Sequence, residues 1–317
     1  SLVIWANHNL RAALSAMRET SRRIMEEEAL TSVESEVASV KEVFDIVGQG
    51  ELAAAEARYL KPKSDEYKCI VLAASRGSAL GILTERLPKC MLDIRGKPLL
   101  HRLVTTLNEG GLRDICVVRG YQKEAINLAN IRAIDNDAYA KSGEATSLAC
   151  ATDQLDGATI ISYGDILFRP YILENLLATT GDITTVIDAR WRGAGHREAG
   201  RQVDLASCSR TFTGEYLDEE PILLTALHTR DGDSEDNNDG EFSGEFIGLI
   251  KLSTKGAAAV KRELAAMKSE GVLDMADLPN LLNRLIATGV SVEVLYVTGH
   301  WLDVDDAFDL AKARNVV

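Results

Sequence analysis

The sequence predicts an α/β protein: a Rossmann-like domain on a mixed, mostly parallel sheet, with a helical appendage at its N-terminus. Three observations predict it. From Cys69 onward short apolar runs alternate with amphipathic or polar stretches, the pattern of a sheet covered by helices on both faces. The first of these runs leads straight into a small, glycine-containing turn. Residues 1–60, by contrast, carry helical periodicity alone.

Along the chain, Leu10, Leu14, Met17, Ser21, Ile24 and Met25 fall on one face of a first helix. Val33, Val37, Val40, Phe44 and Val47 fall on one face of a second, which ends near Gly48 and Gly50. Two such helices cannot bury both stripes by themselves, so 1–60 is expected to pack on something else. The polar, proline-containing stretch 61–68 reads as a linker. Strands are expected at 69–74, 114–120, 158–164 and 182–189 within a domain spanning 69–317. Residues 190–245 are polar, glycine-rich and acidic, and read as an inserted flap or hairpin near the site. The alternation then resumes with a strand at 246–253, helices at 255–270 and near 277–288, and a strand at 290–297.

The 317 residues carry a formal net charge of −13, which argues against a nucleic-acid binder with its basic patch. Backbone amides and a few local cations can still bind an anionic nucleotide inside an acidic protein. Cys69, Cys90, Cys116, Cys150 and Cys208 show no C-x-x-C spacing; they read as free buried thiols of a cytoplasmic protein, not as a zinc site. No apolar stretch reaches membrane-spanning length. The start has no signal-peptide pattern and no initiator Met, so a fragment of a longer polypeptide is expected. In the acidic run 229–241, Asp231, Asp233 and Glu235 imitate the start of a calcium loop. The sixth and twelfth positions are Asp236 and Phe242, where such a loop needs Gly and Glu, so a solvated loop is the better reading.

Four segments carry chemistry. The stretch 72–100 runs from a buried strand into Ala73, Ala74, Ser75, Arg76, Gly77 and Ser78, a turn that lets backbone N–H groups approach phosphate oxygens. Arg76 adds a cation, Lys89 follows twelve residues after Gly77, and Ile94 to Leu100 make a turn and start a helix. Asp165 stands just beyond an apolar strand, at the sheet edge where ligands bind in open α/β folds. In GHWLDVDDAFDL (299–310), Asp303 and Asp305 share one face of an extended backbone, while Asp305 or Asp306 could equally cap the next helix. In NDAYAKSGEATSL (136–148) the residues alone read as a helix start capped by Ser142 or Thr146.

Together these segments resemble the NTP-transferase family, the sugar-nucleotide and cytidylyl transferases, with the pattern LAAG-x-G-x-R-L…PK-x-L-x-x-x-GKP-L. The resemblance implies the NTP-transferase fold, contact of Leu72, Ala73 and Ala74 with the base, a triphosphate wrapped by Ser75, Arg76 and Gly77, and Lys89 on a phosphate. It also implies Mg²⁺ held by Asp165 and Asp305 with Asp303 beside them, so that Lys89, Arg76, Asp165 and Asp305 are the expected catalytic set. The sequence departs from the pattern where the family's Gly is Ser75 and its Arg falls on Ala79; Arg76 is the expected substitute. The segment 136–148 is similar to choline-phosphate-type cytidylyltransferases, which implies CTP, with Gly143, Glu144 and Ser147 against base and ribose.

Residues 3–60 resemble the C-terminal end of phosphoenolpyruvate mutases (V-I-x-A-N-x-x-L-R-A…V-x-E-x-F…A-E-x-x-Y-L). Fusions of such a mutase with a nucleotidyltransferase belong to phosphonate biosynthesis and include the bifunctional enzyme of fosfomycin biosynthesis in streptomycetes. The resemblance therefore implies transfer of CMP from CTP to a small phosphonate, 2-hydroxyethylphosphonate first, with 2-aminoethylphosphonate or phosphocholine as alternatives. In-line attack by a phosphonate oxygen, with no covalent intermediate and no general base, would release pyrophosphate. Arg190, His228, Glu245 and Lys251 are the expected acceptor residues, and self-association through the N-terminal helices is expected in the full-length protein. A sugar-1-phosphate nucleotidyltransferase is the main rival and a non-catalytic nucleotide-sensing or assembly module another. A dinucleotide dehydrogenase is disfavoured, because no G-x-G-x-x-G follows the strand at 69–74.

Overall fold

The computed structural model describes residues 67–191, 202–214, 220–231 and 242–316. The chain divides into two units, Ser1–Lys61 and Pro62–Val317, and the described residues lie in the second. The expected helices of 1–60, most of the linker and most of the acidic loop fall outside them. Strand β1 (Lys68–Ala73) leads through short 3₁₀ turns to the hairpin β2–β3 (Asp93–Ile94, Lys97–Pro98), α1 (Leu99–Glu109), β4 (Asp114–Arg119) and β5 (Arg132–Asp135). Then come α2 (Glu144–Cys150), β6 (Thr159–Tyr163), β7 (Ile166–Phe168), α3 (Pro170–Leu177) and β8 (Ile183–Asp188). The hairpin β9–β10 (Gln202–Cys208, Leu224–Asp231), β11 (Gly244–Leu252), α4 (Thr254–Glu270), α5 (Leu278–Ala287), β12 (Glu293–Val297), β13 (Trp301–Asp303) and α6 (Ala307–Val316) complete the domain.

Nine strands make one sheet in the order β10-β9-β11-β6-β1-β4-β5, with β8 paired to β11 and β12 to β8. Its centre, β6-β1-β4-β5, is parallel. Among the described strands β10 and β11 run against the others, so the sheet is mixed and mostly parallel. The period of two along β1 divides the core. Cys69, Val71 and Ala73 join the apolar layer under α1 and α3, and Ile70 and Leu72 join the layer under α2, α4 and α5. Helix α1 fills the first layer with Leu100, Leu103, Val104 and Leu107, all buried. Helix α4 is capped by Ser253, which accepts from Gly256 N, and stops at left-handed Gly271. Helix α5 opens on a capping box between Asp277 and Asn280.

Among the described residues of 190–245, β9 and β10 pair antiparallel, and β9 also pairs with the start of β11. One short pairing had no sequence signal. The three residues of β13 lie antiparallel to β7, with Asp303 opposite Ile166. The cysteine expectation is corrected in part: Cys69, Cys90 and Cys116 are buried, but Cys150 is exposed at the end of α2 and Cys208 is half-buried. No helix among the described residues is long and apolar enough to cross a membrane.

Candidate active site

The carboxyl ends of β1 and β6 meet at one edge, where Gly164 N donates to Leu72 O at 2.8 Å and Tyr121 N to Ala74 O at 2.9 Å. A cleft of about 890 Å³ opens there. Leu72, Ala74, Ser75, Arg76 and Gly77 line it. Ala73 does not: the alternation of β1 turns it into the opposite apolar layer. Gly77 is left-handed at φ 73°, and a Cβ there would sit 2.7 Å from Lys89 Cβ. Thr84 Oγ1 donates to Gly77 O at 2.9 Å and closes the turn. Arg76, beside the cleft, lies over the Tyr121 ring at 5.4 Å. Ala79, where the related pattern has Arg, also lines the cleft.

The β7–β13 pairing brings the two acidic segments together, and Val304 N donates to Asp165 O. Lys89 Nζ then contacts Asp165 Oδ2 at 2.6 Å and Asp305 Oδ1 at 2.5 Å. Burial opposes the charge of this ammonium, but the two carboxylates outweigh it and hold its pKa above the ordinary lysine range. Carboxylate oxygens of Asp303, Asp305 and Asp309 lie within 4.8 Å of one another. The choice of helix cap is settled by Asp306, whose Oδ1 accepts from Phe308 N and Asp309 N, so Asp305 is not the cap of α6.

The segment 136–148 is held by buried Asn136, whose Nδ2 donates to Ser142 Oγ and Ser147 Oγ at 3.0 Å each. Gly143 is the N-cap of α2, which corrects the expected Ser142 or Thr146 cap. Thr146 Oγ1 instead donates to Leu273 O. Gly143, Glu144 and Ser147 all face the cleft.

Of the four expected acceptor residues, Glu245 lines the cleft and is buried. The other three do not line it. Lys251 sits opposite Ile160 and Thr184, toward the far edge of the sheet, and its Nζ donates to Thr179 O. His228 points away, its ring 5.3 Å from that of Phe242, while the next residue on the strand, Thr229, reaches the cleft. Arg190 is exposed after β8, its backbone N–H on Asp188 Oδ1. Sequence reasoning missed Tyr163, Asp204, Thr229, Phe246 and Asp277, which also line the cleft. Tyr163 packs edge-on against Phe246 at 5.9 Å. Its place could be found from the alternation of β6, whereas Asp204 lies in a segment without a pattern. Burial raises the pKa of Glu144, with Asp277, Asp165 and Asp204 adding to the effect. Burial likewise raises that of Asp277.

Residues 69–223 match the MobA-like NTP transferase domain. The CTP:phosphoglutamine cytidylyltransferase of Campylobacter jejuni is 24% identical over 257 residues, covering 76% of this chain and 96% of that protein. The phosphoenolpyruvate phosphomutase of Tetrahymena pyriformis is 60% identical over 60 residues, 19% of this chain and 20% of the mutase. The 2-aminoethylphosphonate cytidylyltransferase of Lancefieldella rimae is 28% identical over 110 residues, 33% of this chain and 45% of that protein. Among solved structures, the CTP:phosphocholine cytidylyltransferase of Streptococcus pneumoniae superposes with a TM-score of 0.59 at 19% identity, over 79% of this chain and 99% of that one, a likeness of fold. Residues 69–223 are thus similar to the MobA-like NTP transferase domain, and cytidylyltransferases are among the proteins this chain resembles.

Proposed function

We propose that this chain transfers CMP from CTP to a small phosphonate and releases pyrophosphate. The observation that carries the reading is the convergence, in one cleft, of a glycine turn, Lys89 and two carboxylates on a shared cation. Similarity to cytidylyltransferases, one of them named for a phosphonate, supports the choice of nucleotide and acceptor class. Ser75, Arg76 and Gly77 would hold the triphosphate, and Gly143, Glu144 and Ser147 the nucleoside. The close oxygen donors of Asp303, Asp305 and Asp309, with Asp165 across from Asp305, suit a hard divalent cation. Mg²⁺ held by Asp165 and Asp305, with Asp303 beside them, would offset charge on the leaving pyrophosphate. The protein's own part is to align a phosphonate oxygen with the α-phosphorus and keep the leaving group opposite; an ionised phosphonate needs no general base.

The charge of the cleft bears on the acceptor. Strands β9 and β11 line it with Asp204 and Glu245, in the same cleft as the rings of Tyr163 and Phe246. Carboxylates beside aromatic faces suit an ammonium group better than a neutral hydroxyl. This favours 2-aminoethylphosphonate over the 2-hydroxyethylphosphonate implied by the resemblance to the fosfomycin-pathway fusion, which stays the second reading. Similarity to a mutase over 60 residues supports a place in phosphonate synthesis. The test is pyrophosphate release from each of four NTPs with 2-aminoethylphosphonate and Mg²⁺. CTP is expected to dominate, and equal or greater release from UTP or dTTP overturns the nucleotide assignment.

A further inference from the structure

Lys89 joins two parts of the cleft. Its stem packs on Gly77, where an added Cβ would lie 2.7 Å from Lys89 Cβ and 2.8 Å from Cδ. Its ammonium, on a side chain only 9% exposed, sits between Asp165 and Asp305. The same two carboxylates are the ones the proposed function gives to the metal. An ammonium at 2.5–2.6 Å from these oxygens occupies their inner face, and a divalent cation bound to the same atoms would meet it at close range with like charge.

Resting on that reading of Asp165 and Asp305, we propose that Lys89 is an exchangeable counter-ion. It holds the metal's carboxylates until a triphosphate offers it other oxygens, and only then are the carboxylates free for the cation. Nucleotide and divalent cation then bind with positive coupling, and the cation alone binds weakly. Two features support the exchange. The buried ammonium cannot leave its carboxylates without another anionic partner, since an unpaired charge there is costly. The glycine of the triphosphate turn touches the lysine stem, so a phosphate drawn into the turn arrives beside the group that must move. If Lys89 holds the carboxylates in about nine molecules of ten, apparent metal affinity falls about tenfold. By linkage, the cation raises nucleotide affinity by the same factor as the nucleotide raises the cation's.

The test is Mn²⁺ binding to the full chain, followed by electron paramagnetic resonance of the free ion, without and with a CTP analogue whose α–β bridge is a methylene. Lys89→Met is expected to bind Mn²⁺ alone at least about tenfold more tightly than the wild type, and to lose the gain in Mn²⁺ affinity that the analogue produces in the wild type. Equal or weaker Mn²⁺ binding by a folded Lys89→Met overturns the proposal. Wild-type data decide the matter even if that variant does not fold. Mn²⁺ that binds the nucleotide-free wild type as tightly as it binds the analogue-loaded protein, and is lost in Asp165→Asn, also overturns it. Metal binding is read without turnover, so a protein that shows the coupling but makes no cytidylyl product would refute the activity and leave the exchange intact.

Discussion

Asp204 accepts a hydrogen bond from Thr229 Oγ1 at 2.7 Å, yet burial and the nearby charges of Asp277 and Asp305 push its pKa up to about 6. A carboxyl raised in the folded state favours folding when protonated. Its contribution is full below its unfolded value near 4 and is lost as pH rises through about 6. Asp204→Asn should therefore remove a decline in melting temperature between about pH 4 and 6. Binding runs the other way, because an ammonium-bearing acceptor needs the ionised carboxylate. The acceptor KM should fall as pH rises through about 6 in the wild type, and Asp204→Asn should flatten that part of the profile; an unchanged profile would remove Asp204 from the acceptor pocket. Lys89, Asp165 and Asp305 were legible in the sequence because each stands at a fixed place in a motif. Their mutual contact was not, since it spans 216 residues between Lys89 and Asp305. Asp165→Asn and Asp305→Asn should each lose activity by orders of magnitude with little change in melting temperature, because either carboxylate left behind still pairs with Lys89. Near-wild-type turnover by either folded variant would contradict the metal assignment.

At the scale of elements, the strands with strong apolar runs were readable, and the pairing that builds the site was not. β1, β4, β6 and β8 each bury nearly every residue, a signal that a window of sequence carries by itself. β7 and β13 have three residues each, too few for a period, and they meet only because the rest of the domain brings them together. The join from β13 to α6 depends on Asp306 as a cap for the helix. Asp306→Ala should cost about 1 kcal/mol in unfolding free energy. It should also lower kcat, because Asp305 is the preceding residue. A loss of stability with unchanged kcat would separate the cap from the site. On β11, left-handed Gly248 (φ 77°) makes room for Tyr163, whose ring would lie 2.0 Å from an added Cβ. Gly248→Ala should destabilise by about 1–3 kcal/mol and raise the acceptor KM as the Tyr163–Phe246 wall shifts. A change in the KM for CTP alone would assign that wall to the nucleotide.

At the scale of the molecule, a chain of net charge −13 has a cleft in which Arg76 and Lys89 face Glu144, Asp165, Asp204, Glu245, Asp277, Asp303 and Asp305. On the proposed function, such a cleft would need divalent charge beside a triphosphate and would favour a positive group on the acceptor. The fold class followed from the alternation of elements. The turn, the lysine and the aspartates followed from spacing and resemblance. The wall of the cleft built by β9 and β10 did not, because these strands lie in a segment whose polarity gave no register. His228 and Lys251 lie on strands that reach the cleft with other residues, but themselves sit away from it. Transfer of CMP to a phosphonate is decided by kcat/KM with CTP for 2-aminoethylphosphonate, 2-hydroxyethylphosphonate and glucose-1-phosphate, side by side. Phosphocholine and phosphoethanolamine are expected to retain activity, since one bridging group is typically worth only about 10–200-fold. The expected order is aminophosphonate, hydroxyphosphonate, sugar phosphate; a preference for glucose-1-phosphate would contradict transfer to a phosphonate.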